Sequence, residues 1–339
     1  MHAAPFNSYN LFNPLTHALI KMERIDLTQF SEKVNDIRQA IAEVVVGQAS
    51  AVDMLLAAML ADGHVLIEGV PGVAKTLLAR LTAALVDAPF GRLQFTPDLM
   101  PSDVLGTSVF DVKQQDFVFH AGPVFKQVLL VDEVNRAPAK TQAALFEVME
   151  ERQATVDGVT HPMPELFTII ATQNPVEQEG TYKLPEAQLD RFLVKITMGY
   201  PSPDEEFEIL RRHQQRNLRD LSAVKPVLTS GELLAMRTVL QQVVVDDEVL
   251  RYICRITDLT RHSRHVYLGA SPRAAVALLQ MAKAMALLQG RDFVTPDDVK
   301  NVAPAVLSHR IQLAAEAEME VMSVPGLVNR LLEAAVVEN

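Results

Sequence analysis

His64-Val65-Leu66-Ile67-Glu68-Gly69-Val70-Pro71-Gly72-Val73-Ala74-Lys75-Thr76 is the stretch that decides the fold. Residues 64–68 form a short apolar run of buried-strand length, the Gly/Pro segment after them breaks it, and residues 77–86 return to helical spacing. The order is therefore strand, loop, helix. At such a junction the backbone N–H groups and the helix N-terminus can cradle phosphate oxygens. Within this loop of Gly69, Val70, Pro71, Gly72, Val73 and Ala74, Lys75 is placed to reach the β and γ phosphates of a nucleotide. Thr76 can offer its hydroxyl to Mg²⁺, which neutralises charge on a transferring phosphoryl group. The usual residue before the lysine is glycine; here it is Ala74, and a negative φ at the helix entry, which alanine tolerates, is the expectation.

Further along, residues 128–131 are a second apolar run that ends in Asp132-Glu133, and residues 166–171 are a third, ending at Thr172-Gln173-Asn174-Pro175. Strands of this kind alternating with helices predict a parallel sheet covered on both faces. Ligands bind at the carboxyl ends of such strands. There Asp132 suits the Mg²⁺ shell and Glu133 suits positioning and polarising an attacking water. Asn174 could hold that water or the γ phosphate, or it could simply belong to an Asn-Pro turn. Residues 109–119 and 154–162 alternate and turn at polar or glycine residues, so they read as inserted hairpins.

The pattern changes at Tyr200-Pro201-Ser202-Pro203, where two prolines break the chain and an acidic first turn opens a helix. The expected division is a loose tail over 1–22, an α/β nucleotide-binding domain over 23–200, and a smaller all-α lid over 201–339. Within the lid, helices are expected at 206–216, 229–244, 247–261, 272–289 and from 296 onward, the last capped by Thr295 with Asp298. Two arginines stand out. Arg191 follows a short helix opened by Pro185, where its guanidinium could stabilise transition-state charge in a neighbouring subunit or pair with a nearby surface acid. Arg273 lies in the first turn of a helix capped by Ser271, where the dipole disfavours a cation by a few tenths of a kcal/mol. It needs an anion, and ATP phosphates shared between the two domains are the expected one; Arg261 and Arg264 make this corner locally basic. His262 and His265 read as polar loop residues rather than metal ligands.

Composition narrows the function. A net charge of −11 disfavours collecting a phosphate backbone, so nucleic acid is not expected as a partner. A single cysteine, Cys254, cannot form an internal disulfide, and a cytoplasmic setting is expected. No apolar run approaches membrane-spanning length, so direct membrane insertion is not expected. The first 21 residues lack a signal-peptide pattern, and Met22 is an alternative start.

With these pieces in order, the sequence resembles the AAA+ superfamily, and its MoxR family in particular, from about Met22 to the C-terminus. The resemblance is carried by Val46-Gly47-Gln48, the loop from Gly69 to Thr76 with alanine before the lysine, and Asp132-Glu133-Val134-Asn135-Arg136-Ala137-Pro138. It continues through Lys140-Thr141-Gln142, the segments 171–175 and 186–192, and Gly269-Ala270-Ser271-Pro272-Arg273. It implies Lys75 and Thr76 as the Walker A pair, Asp132 and Glu133 as Walker B, Asn174 as sensor 1, Arg191 as the arginine finger and Arg273 as sensor 2. Gly47 and Gln48 are implied nucleotide contacts. The resemblance further implies ATP hydrolysis with Mg²⁺ in a homo-oligomeric ring of six, and hairpins that line a pore or face partners. The implied work is chaperone-like maturation of a client enzyme, including metal insertion, together with a protein bearing a von Willebrand factor A domain. A nucleic-acid translocase, a small-molecule kinase and a nucleotide-binding scaffold without turnover are the competing readings.

Overall fold

The computed structural model describes residues 25–175, 181–215, 224–320 and 323–335. The expectations for the N-terminal tail and for Arg216 fall outside them. Helix α1 (Thr28–Ala42) buries Phe30, Val34, Ile37 and Ile41, one stripe at helical spacing. Helix α2 (Ala49–Leu60) is apolar nearly all round and is buried accordingly. Strand β1 (Val65–Gly69) leads into α3 (Lys75–Leu85), then β2 (Phe90–Gln94) and the single-turn α4 (Pro101–Leu105). An antiparallel hairpin, β3 (Gly106–Asp111) and β4 (Asp116–Ala121), precedes β5 (Val128–Asp132) and α5 (Ala139–Glu151). A second hairpin, β6 (Gln153–Val156) and β7 (Val159–Pro162), leads to β8 (Thr168–Gln173), the short α6 (Glu186–Leu189) and β9 (Val194–Met198).

The central sheet runs β2-β5-β8-β1-β9, all parallel. Alternation assigns its faces. Val65, Ile67, Val128, Leu130, Ile170, Val194 and Ile196 join the core built with α1, α2 and α3. Leu66, Leu129, Val131, Ile169 and Ala171 join a second core with Phe146, Phe167 and Phe192. Both faces are covered, so the expected doubly covered parallel sheet is what forms.

Beyond the sheet the chain is helical: α7 (Pro203–Gln215), α8 (Ser230–Gln242), α9 (Asp247–His262), α10 (Pro272–Leu288) and α11 (Pro296–Leu307), then α12 (Ala315–Met319) and α13 (Val324–Ala334). A two-strand clip, β10 (Val266–Leu268) with β11 (Gln312–Leu313), ties the turn after α9 to the chain after α11. Thr295 and Asp298 cap α11 as expected, the Thr295 N–H donating to the Asp298 carboxylate at 2.7 Å. Ser271 differs. It stands at the N-cap of α10 without a capping bond, and its hydroxyl is turned to Asp190, 3.4 Å away. The helices dock on the sheet side through the core that contains α2, with Leu278, Met281 and Met285 of α10 buried in it.

His64 is a buried joint between strand and helix. Its Nδ1 accepts from the Ile169 N–H at 3.0 Å and its Nε2 faces the Met149 carbonyl at 3.3 Å. Burial, then the nearby Arg152, push its pKa down to about 3. The folded protein therefore keeps this ring neutral where the unfolded chain would protonate it below about 6.5. Stability from this group is complete above that value and falls as pH drops, at about 1.4 kcal/mol per pH unit. The expected result is a melting temperature that declines between pH 6.5 and 5, before carboxylates titrate, with a shallower decline in His64→Gln.

Candidate functional site

The site is built at the carboxyl edge of the sheet. β1 delivers the loop 69–74 to α3, whose first residues are Lys75 and Thr76. The Lys75 ammonium donates to the Gly69 carbonyl at 2.5 Å, folding back over the loop. Gly72 has φ +89, and a Cβ there would meet open space, so glycine serves the turn rather than a close contact. The expectation for Ala74 is corrected: its φ is +64, in the left-handed region. The loop must reverse direction to present its amides before α3 begins, and that reversal holds alanine in a conformation costing roughly 1–2 kcal/mol.

One strand away, β8 ends at Gln173 and Asn174, and Asn174 is buried. Two strands from β1, β5 ends at Asp132. At about 4.8 Å per strand, Lys75, Asn174 and the acidic pair share one edge within reach of a triphosphate. Asp132 is buried and held from two sides: the Thr172 hydroxyl donates to Oδ1 at 3.1 Å and Arg92 approaches Oδ2 at 2.7 Å. Glu133 has φ +56. This turn places its N–H on the Thr172 hydroxyl at 3.1 Å and its carboxylate against the Gln94 amide at 2.8 Å and Arg136 at 3.1 Å.

Thr76 and Asp132 supply the hard oxygen donors that Mg²⁺ prefers, and this ion keeps waters and takes phosphate oxygens for the rest. The donor set fits. When bound, the metal neutralises phosphate charge. Asp132 and Thr76 would hold it, and the bonds from Thr172 and Arg92 fix the carboxylate in orientation.

Gly47, φ +76, lies in the turn between α1 and α2 with the Glu205 carboxylate against its backbone, where a Cβ would come within 2.4 Å. Gly47 and Gln48 border a cleft of about 420 Å³ lined also by Ile41, Val45, Val52 and Arg212, a largely apolar space with room for a nucleobase.

The two arginines lie elsewhere. The Leu193 N–H donates to the His64 carbonyl at 2.8 Å, which puts Arg191 beside the start of β1 and β9. The phosphate loop is at the other end of β1, some 16 Å away along about five residues of strand. Arg273 is there as well. Its Nη2 is 3.0 Å from Glu150 Oε1, and Arg191 Nε is 3.5 Å from Glu150 Oε2. The expected counter-charge of Arg273, phosphate held between the two domains, is thus replaced by Glu150 at the C-terminus of α5. Docking of α10 through its buried face sets its N-terminus at that edge. Gln94, Arg92, Thr172 and Glu150 were missed by the sequence reading. Only Thr172 carried a signal, a polar side chain where an apolar run ends.

An all-parallel sheet with a phosphate loop after one strand and an acidic pair ending another defines a P-loop nucleoside triphosphatase, here with a helical lid. A profile of the ATPase family associated with various cellular activities (AAA) matches residues 64–194, and an AAA lid domain profile matches residues 258–330. The chain is 44% identical to Chaperone MoxR1 of Mycobacterium tuberculosis over 89% of its length and 82% of that protein's. It is 45% identical to the Bacillus subtilis protein YeaC over 87% of its length and 91% of that protein's. A crystal structure from Cytophaga hutchinsonii superposes with TM-score 0.85 at 39% identity, covering 92% of this chain and 97% of the other. The chain belongs to the MoxR family of AAA+ ATPases and is an ATP hydrolase. Among the described residues no helix is long and apolar enough to cross a membrane.

Proposed function

We propose that this chain cleaves Mg-ATP at the junction between two copies in a ring, and that the resulting movement of one copy against the next remodels a client protein. Lys75 and the loop amides hold the phosphates, Thr76 and Asp132 hold the metal, Glu133 with Asn174 orients the attacking water, and Gly47 and Gln48 border the base. The observation that carries the reading is the position of Arg191 and Arg273. They converge at the edge of the sheet away from their own phosphate loop, so each copy lacks these cations at its own site and offers them to another. In that reading Glu150 holds both guanidinia until a neighbour's γ phosphate replaces it. The division of the chain near 200–203 then separates the sheet body from the lid that carries Arg273.

Similarity to a protein named a chaperone supports the remodelling role, and a protein with a von Willebrand factor A domain is the proposed helper. Client maturation, metal insertion included, is the proposed outcome, with six copies per ring in the cytoplasm. The hairpin β3–β4 weighs against a nucleic-acid translocase. It exposes Val109, Phe110, Val112 and Phe117 beside Asp111, Lys113 and Asp116, a mainly apolar tip without a cluster of cations, suited to polypeptide rather than to phosphate. The test is turnover per chain against protein concentration, with mass measured in parallel. Activity is expected to fall steeply as the assembly dissociates; a strictly monomeric protein with undiminished turnover at every dilution rejects the shared site.

A further inference from the structure

We propose that Arg310, at the end of the turn after α11, is a positioning residue that sets Arg191 for the neighbouring site; this rests on the reading of Arg191 as a cation supplied to another copy. The Arg310 side chain is buried, 4% exposed. It donates from Nε to Asp190 Oδ1 at 2.7 Å, from Nη2 to the Asp190 and Phe192 carbonyls at 3.3 and 2.7 Å, and from Nη1 to the Leu193 and Val306 carbonyls at 2.9 and 2.6 Å. His309 Nε2 adds a contact of 2.9 Å to the Phe192 carbonyl. The residues on both sides of Arg191 are therefore fastened by one lid guanidinium, although they lie well over a hundred positions away in sequence.

The local geometry needs such a clamp. Helix α6 is a single turn ending at Leu189, and the carbonyls after it have no continuing helix to accept from. A planar fork with five donors can satisfy several carbonyls in one fixed arrangement, which an ammonium cannot do. Asp190 links the second arginine to the same clamp. Its Oδ2 accepts from Ser271, which opens α10 two residues before Arg273. Arg310 thus locks the carriers of both arginines together. A buried ion pair is weak support for stability, because apolar residues of similar volume often do as well. What this pair supplies is orientation. A shift of the lid is transmitted through Arg310 to the segment 190–193, so lid position in one copy sets the cation presented to the next.

The test uses full-length Arg310→Ala and Arg310→Lys chains, ATP binding, steady-state turnover and mixed assemblies. Misplacing a group by about an ångström can cost roughly 10²-fold in rate. A fall of that size in kcat is expected for Arg310→Ala with ATP affinity unchanged, because its own phosphate loop is at the far edge of the sheet. Arg310→Lys keeps charge opposite Asp190 but not the fork, and is expected to recover only part of kcat. In verified mixed rings, Arg310→Ala should regain activity with Lys75→Ala, which offers an intact Arg191, and should not regain it with Arg191→Ala. Arg310→Lys carries the same mixing test if the alanine variant does not fold. Wild-type kcat in both variants, or recovery with Arg191→Ala but not with Lys75→Ala, overturns the proposal. Failure of the underlying reading is seen separately, as normal turnover by Arg191→Ala alone.

Discussion

Glu133→Gln is expected to bind ATP with near wild-type affinity and to hydrolyse it about 10²- to 10⁴-fold more slowly, the range a positioned general base contributes. The geometry separates the two effects. The loop 69–74 and Lys75, the proposed phosphate grip, lie two strands from β5, whereas Glu133 is set by its own left-handed turn after Asp132. An amide of the same shape keeps the contact to Gln94, 2.8 Å away, and the backbone bond to the Thr172 hydroxyl. What is lost is the negative charge that, in the proposed mechanism, orients and polarises water. The variant should accumulate as ATP-loaded assemblies, and pulling down proteins held by them would identify clients. Single-turnover rates with a direct binding measurement check this; turnover within twofold of wild type would remove Glu133 from the role.

The contrast between Glu133 and its neighbours shows which parts of the site a sequence reveals. Strands β1, β5 and β8 were legible because burial on both faces leaves an unbroken apolar run, and each ends in the polar residues that mark the ligand edge. β2 and β9 were not. β2 interleaves Gly91, Arg92 and Gln94 and lies at the sheet margin, and β9 carries Lys195 and Thr197 between its apolar residues. Because β2 was not seen, neither were Arg92 and Gln94, which reach Asp132 and Glu133 only through strand pairing. Ala74 was misread for a different reason: its conformation belongs to the loop it closes, and local preference for negative φ is outweighed by the turn. Arg273 was noticed because a cation in a first helical turn lacks a local partner. Its partner, Glu150, is set by how α10 docks, and no local pattern encodes that.

Two carriers, α6 with its following turn and α10, therefore bring cations to one carboxylate from separate segments of the chain. Glu150 faces both, at 3.5 Å from Arg191 and 3.0 Å from Arg273. Arg273 is the more exposed, so its pair with Glu150 is screened by water and contributes little to stability. Such a contact is easily exchanged. In the proposed shared site, a γ phosphate of a neighbouring copy would offer more negative charge and the pair of acceptor oxygens that guanidinium matches.

Arg191→Ala is accordingly expected to lower kcat by about 10³-fold or more, the scale of a charge supplied in trans to a phosphoryl-transfer site. ATP affinity of the same chain should change little, since its own phosphate loop lies about 16 Å along β1 from the substituted residue. Arg191→Lys should recover only a small part, because a point charge lacks the fork. Arg273→Ala should also lower kcat while leaving binding intact, and the double variant should lose much less than the product of the single losses. Groups that stabilise one charge together are not additive when removed in turn. Steady-state kinetics at saturating ATP, with assembly verified for every variant, decides the matter. If the two losses multiply, the arginines act at separate places; if Arg273→Ala instead abolishes ATP binding by its own chain, Arg273 serves the site of its own copy.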